Sequence, residues 1–192
     1  MEPDEDRIVP VVRTVAPAHT LFSTARYALE RAQKTEDRSF LELLTANLMA
    51  ALAFEAFLNH VGEYRWGAES EVWSAVERLN PIAKLKAIAE ECEFDIDLGT
   101  RPGQTLIEVC RFRNAVAHGR TVFLEAEIPR DALEAGLPFP SAESFVAEWE
   151  QKCTLAFAQR ALDDLRDVTD KLADHVGITN PIHMGEMTEW PD

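Results

Sequence analysis

Hydrophobic residues recur at helical spacing along most of this chain. Leu21, Ala25, Ala28, Leu29 and Ala32 predict a first helix over about residues 18–33. A second helix is predicted from Asp37 or Ser39, both suited to an N-cap, to near residue 62. Along it, Leu41, Leu44, Leu48, Ala51 and Leu58 form one apolar seam, and Leu43, Ala50, Phe54, Phe57 and Val61 form another. A helix with two seams is covered on most sides, which places it at the centre of a bundle. Asn47, Glu55 and Asn59 interrupt these faces. Glu55 lies on the first seam, where a buried carboxylate is costly without a partner, so something is expected to face it.

Beyond this helix the pattern shortens. A connection holding Trp66 and Trp73 includes a short helix over 70–79, and Asn80-Pro81 opens another, with Ile82, Leu85, Ile88 and Ala89 as its apolar side. Gly99, Pro102 and Gly103 punctuate a loop. A helix of about fifteen residues is predicted over 104–118, with Gly119 placed as a C-terminal cap. Residues 121–127 read as a short strand, followed by a Pro/Gly-rich stretch to 140. A last long helix is predicted from Ser141 or Ser144 to about 176. Its seam is Leu155, Ala158, Leu162, Leu165, Thr169, Leu172 and Val176, and its solvated face carries Asp163, Asp164, Arg166 and Asp167. The segment after Gly177 shows no periodicity. The expected fold is all-α: an up-and-down bundle of four to five main helices over 16–177, with tails at 1–15 and 178–192 and an insert at 121–140.

Charge narrows the function. With a net charge of −15, the surface as a whole repels phosphates. Residues 101–120 run against that background, with Arg101, Arg111, Arg113 and Arg120 facing the single acid Glu108. An anionic ligand, if there is one, is expected there. Cys92, Cys110 and Cys153 are odd in number and form no Cys-x-x-Cys, so they read as free thiols. There is no His-Glu-x-x-His, phosphate-binding glycine loop or Gly-x-Ser-x-Gly elbow, and neither a metal nor a cofactor is expected. The four tryptophans read as packing residues more readily than as base-stacking platforms. No apolar run of bilayer length and no secretory leader is evident, which leaves no membrane role and the cytoplasm as the default compartment.

The helix over 104–118 carries the candidate chemistry. Leu106, Cys110 and Ala117 mark its inward stripe, with Arg113 and Asn114 on or beside it. Asn114 and His118 are four apart and share a face, whereas Arg113 lies about 140° around the axis from His118. Arg113 and His118 converge only if the helix end opens into a cleft or a second copy completes the site. Arginine offers a planar charged fork for a phosphate, and histidine exchanges protons near neutral pH. RNA brings its own nucleophile, the 2′-hydroxyl. Glu55 is placed to hold Arg113, with Asn59 one turn further along the same helix. The plainer alternative is a structural ion pair beside a capping histidine.

The segment Arg111-Phe-Arg-Asn-Ala-Val-Ala-His-Gly119 resembles the signature of the HEPN superfamily (higher eukaryotes and prokaryotes nucleotide-binding): an arginine, four to six residues and a histidine, with a polar residue, often Asn, after the arginine. The stretch Ala50-Ala-Leu-Ala-Phe-Glu-Ala-Phe-Leu-Asn59 resembles that family's second helix, where an acid recurs. The resemblance spans roughly residues 20–60 and 80–120. It implies a helical bundle that pairs as a homodimer, with the arginine and histidine of two chains lining one cleft. Many such proteins are metal-independent endoribonucleases of toxin, defence or RNA-processing systems, while others bind nucleotides or act as scaffolds. On that resemblance Arg113 contacts the scissile phosphate, His118 does acid–base work and Asn114 assists. Glu55 and Asn59 support them, and Arg111 and Arg120 bind RNA. An antitoxin or a nucleotidyltransferase is the implied protein partner.

Overall fold

The computed structural model describes residues 15, 17–34, 39–119, 121–125, 130–131 and 146–183. Six α-helices pack together among them: α1 (Pro17–Lys34), α2 (Ser39–Trp66), α3 (Glu71–Val76), α4 (Pro81–Glu91), α5 (Gly103–Ala117) and α6 (Leu155–Val176). The fold is an all-α bundle, and α2 is its axis, touching each of the other five helices.

The second seam of α2 is buried throughout, with Ala50, Phe54, Phe57 and Val61 wholly enclosed. The first seam departs from expectation at its start. Leu41 is exposed, Leu44 and Leu48 are half-buried, and full burial begins at Ala51. Because neighbours surround it, α2 is apolar on every side. An 18-residue window in it has a mean hydropathy of 1.6, so by length and composition it is apolar enough to cross a membrane, contrary to the sequence reading. Half of that window is buried against the other helices, as the core helix of a bundle requires.

The helix starts follow local chemistry. Ser70 caps α3 by accepting from the Trp73 amide at 3.0 Å, and Asn80 caps α4 by accepting from the Ala83 amide at 3.0 Å. The last helix begins later than Ser141 or Ser144, both outside the described residues. A 3-10 turn over Glu150–Lys152 intervenes. Thr154 then caps α6 through the Phe157 amide at 3.2 Å, which satisfies a free donor of the first turn and fixes the start at Leu155. At the far end Gly177 adopts φ 77°, and the Ile178 amide reaches back to the Ala173 carbonyl at 3.0 Å.

Two further expectations are corrected. Residues 121–125 are irregular, not a strand, with Phe123 93% exposed. No neighbouring strand among the described residues is there to pair with them, while 126 and 127 lie outside those residues. The segment after Gly177 is not a loose tail as far as residue 183. Asn180 donates to Asp170 at 2.7 Å and to the Thr169 hydroxyl at 3.2 Å, and Ile182 is buried with its carbonyl 2.9 Å from His19 Nδ1. Thr169, on the apolar seam of α6, is satisfied by this return.

Candidate functional site

The three polar residues on α2 each engage a different neighbour. Asn47, fully buried, donates to the Lys152 carbonyl at 3.0 Å. Glu55 meets Arg113 of α5, with Nη2 2.6 Å from Oε2, in a pair whose side chains are 19% (Arg113) and 30% (Glu55) exposed. Asn59 accepts a hydrogen bond from Lys84 of α4. The carboxylate on the apolar seam therefore has its partner, and Arg113 is held by one nitrogen. Its Nε is buried with no partner among the described residues.

Lys84 escaped the sequence reading. Only 1% of its surface is exposed, and its ammonium sits 5.7 Å from the centre of the Trp73 ring. Burial pushes its pKa below the ordinary lysine value, opposed by the charges of Glu55 and Glu77 and reinforced by Arg113. The position carried a signal: Lys84 shares a face with Pro81, Leu85 and Ile88, all of them buried. A lowered lysine pKa means that the unfolded chain binds more protons, so this group's contribution to stability is complete above 10.5 and is lost as pH falls. We therefore expect Lys84→Met to raise the urea midpoint near neutral pH, with its advantage over the wild type shrinking as pH climbs toward 10.5. A constant difference across that range, in parallel denaturation curves, would contradict the assignment.

The inward face of α5 comprises Thr105, Leu106, Val109, Cys110 and Phe112. Ala117, expected on that stripe, is exposed, as are Arg111, Asn114, Ala115 and His118. The helix packs against α2, α4 and α6, but beyond Arg113 only Val116 stays half-buried. His118 is the C-cap residue, its amide donating to the Asn114 carbonyl at 3.0 Å. Gly119 is not a left-handed cap; it is needed for space, since a Cβ there would lie 2.6 Å from the Ala115 carbonyl oxygen.

His118 and Arg111 line a cavity of about 670 Å³ together with Phe112, Trp149 and Lys152, while Arg113 and Asn114 do not. Within one chain the arginine and histidine of the motif thus open on different sides of α5, as their angular offset requires. Arg120 lies outside the described residues. Trp149 is half-buried, its ring centre 6.1 Å from that of Phe40, whereas Trp73 is core and stacks on Trp66. Asp164, expected in solvent, is buried and gripped by Arg101. Burial raises its carboxyl, but the Arg101 fork and the Thr105 hydroxyl outweigh that and hold it below the ordinary value.

Burial pushes the Cys110 thiol up to about 12 and Cys153 up to about 11, and raises Cys92 as well, which disfavours the reactive thiolate at each. Among the described residues no group of three His, Cys, Asp or Glu is arranged to hold a metal ion. Compared with known proteins, the chain matches no family model, no curated protein and no solved structure.

Proposed function

We propose that this chain is a HEPN-type endoribonuclease that works as a homodimer and cleaves RNA through attack of its own 2′-hydroxyl. The observation that carries this reading is the exposed final turn of α5, with Asn114 and His118 accessible and Arg113 anchored by Glu55 at 2.6 Å. An anchored guanidinium is pre-oriented for a phosphate, and its second terminal nitrogen is left to donate. His118 accepts the 2′-hydroxyl proton as the oxygen attacks the adjacent phosphorus. The 5′-oxygen leaves and takes a proton from solvent, giving a 2′,3′-cyclic phosphate and a 5′-hydroxyl. That chemistry needs no protein nucleophile and no metal. Because Arg113 and His118 face apart within one chain, the reading takes the arginine from one copy and the histidine from the other. A toxin or defence setting, with an antitoxin or nucleotidyltransferase as partner, belongs to the same proposal.

The test is incubation of the purified protein with end-labelled RNA in EDTA, followed by analysis of the product ends. Cyclic-phosphate ends are expected. Intact RNA across a panel of sequences would set the nuclease aside. It would favour a non-catalytic interaction module, a reading supported by the way Glu55–Arg113 and Asn59–Lys84 tie α2 to α5 and α4.

A further inference from the structure

A second cavity, of about 450 Å³, adjoins the first and shares Lys152 with it; Arg101, Arg160, Thr154 and Phe157 are among its walls. The walls of the two cavities carry four cations, Arg101, Arg111, Lys152 and Arg160, against the carboxylates Glu108 and Glu148. In a chain of net charge −15 this is a local reversal of sign. Glu108 is shared, lying 2.6 Å from Arg160 Nη2 and 3.4 Å from Lys152 Nζ, so one negative charge stands between two positive ones. Arg160 Nε has no partner among the described residues. Arg101 is committed to Asp164, with contacts of 2.9 and 2.5 Å, but its side chain remains 58% exposed. The Lys152 ammonium and the Arg160 guanidinium both lie over the Phe157 ring, 5.2 and 5.3 Å from its centre, so one aromatic face holds both cations.

These positions follow one another along the bundle. Arg101 precedes the start of α5 and His118 caps its end, roughly 25 Å apart at 1.5 Å per residue. A row of cations with an aromatic ring beside it is the chemistry that single-stranded nucleic acid recognises: phosphates on the charges, a base on the ring.

We infer that the surface running from His118 and Arg111 through Lys152 to Arg160 and Arg101 is a track for the backbone of single-stranded RNA, with Trp149 stacking one base. The inference rests on the reading of the chain as an RNA-acting protein and assigns the path that the strand follows away from the α5 terminus. Lys152, Arg160 and Trp149 are binding residues here, none of them part of the cleavage motif.

The experiment is fluorescence-anisotropy titration of the wild-type protein with a short labelled 2′-O-methyl oligouridylate, over a range of salt concentrations. That probe lacks the attacking hydroxyl, so binding is read whether or not the protein cleaves RNA. Lys152→Gln/Arg160→Gln is expected to weaken binding about tenfold at low salt and to flatten the plot of log K against log salt by about 1.4, two lost phosphate contacts at about 0.7 each. Arg111→Gln, exposed and therefore safe for the fold, is expected to flatten it by about 0.7. Trp149→Ala is expected to lower affinity with the salt slope unchanged, and Lys171→Gln, on an exposed pair with Asp167, is expected to leave binding as it was. Absence of binding by the wild type, or wild-type affinity and slope in both Lys152→Gln/Arg160→Gln and Arg111→Gln, would overturn the track. Binding through the track without cleavage of natural RNA would retain this inference and remove the nuclease.

Discussion

His118→Ala is expected to lower RNA cleavage by about 10²- to 10⁴-fold, the range for loss of a positioned proton-transfer group. The thermal midpoint should hardly move, because His118 is exposed and its capping bond is made by the backbone amide, which alanine retains. Arg113→Ala is expected to be inactive as well. The informative measurement mixes the two inactive proteins. If each site takes Arg113 from one copy and His118 from the other, a mixed dimer carries one intact site, and activity returns. If both residues act within one chain, every site in the mixture is damaged and no activity returns. The 140° offset along α5 and the appearance of His118 but not Arg113 in the cavity wall both favour the first outcome.

Gly62→Ala is expected to destabilise the protein by about 2–3 kcal/mol, the scale of overpacking in a closed core. A Cβ at this position runs into the six-membered ring of Trp73, which is 2% exposed. The ring cannot swing freely, because it stacks on Trp66 and lies against the Lys84 ammonium. The measurement is the urea midpoint at constant m-value. A second substitution, Trp73→Leu, opens the space the methyl needs, so the double variant should be more stable than the sum of the two single effects predicts. Strict additivity would show that the clash is relieved elsewhere. The clash also reaches the candidate site, since displacing Trp73 uncovers Lys84, the donor to Asn59.

The bundle was legible in the sequence because α2 and α6 carry long, regular apolar patterns, and burial follows them except at the helix ends, where Leu41 and Leu155 are exposed. The Glu55–Arg113 contact was legible for a different reason. An acid on an apolar seam demands a partner, and Arg113 was the cation with the right placement. Lys84 and Asp164 were hidden because a charged residue at the margin of an apolar stripe looks like any solvated one until its neighbours are known. Lys84 is closed over by Trp73, and Asp164 by Arg101, which arrives from a loop more than sixty residues away in sequence. The exposure of Ala117 was missed because helical periodicity continues past the point where packing partners end. Residues 178–183 have no period at all; they are held by the side-chain bonds of Asn180 and by the contact between His19 and the Ile182 carbonyl.

The order of synthesis gives the central helix a particular hazard. α2 leaves the ribosome ahead of α4, α5 and α6, and at bacterial or eukaryotic elongation rates its last partner follows on the order of ten seconds later. Until α4, α5 and α6 follow in turn, only α1 and the short α3 are there to shelter it, and the nascent chain presents an apolar rod to chaperones and to membrane-insertion machinery. Three polar side chains, Asn47, Glu55 and Asn59, interrupt that rod. Each makes the rod a poorer substrate for insertion and aggregation before it becomes the contact that receives the 3-10 turn, α5 or α4 in the finished bundle.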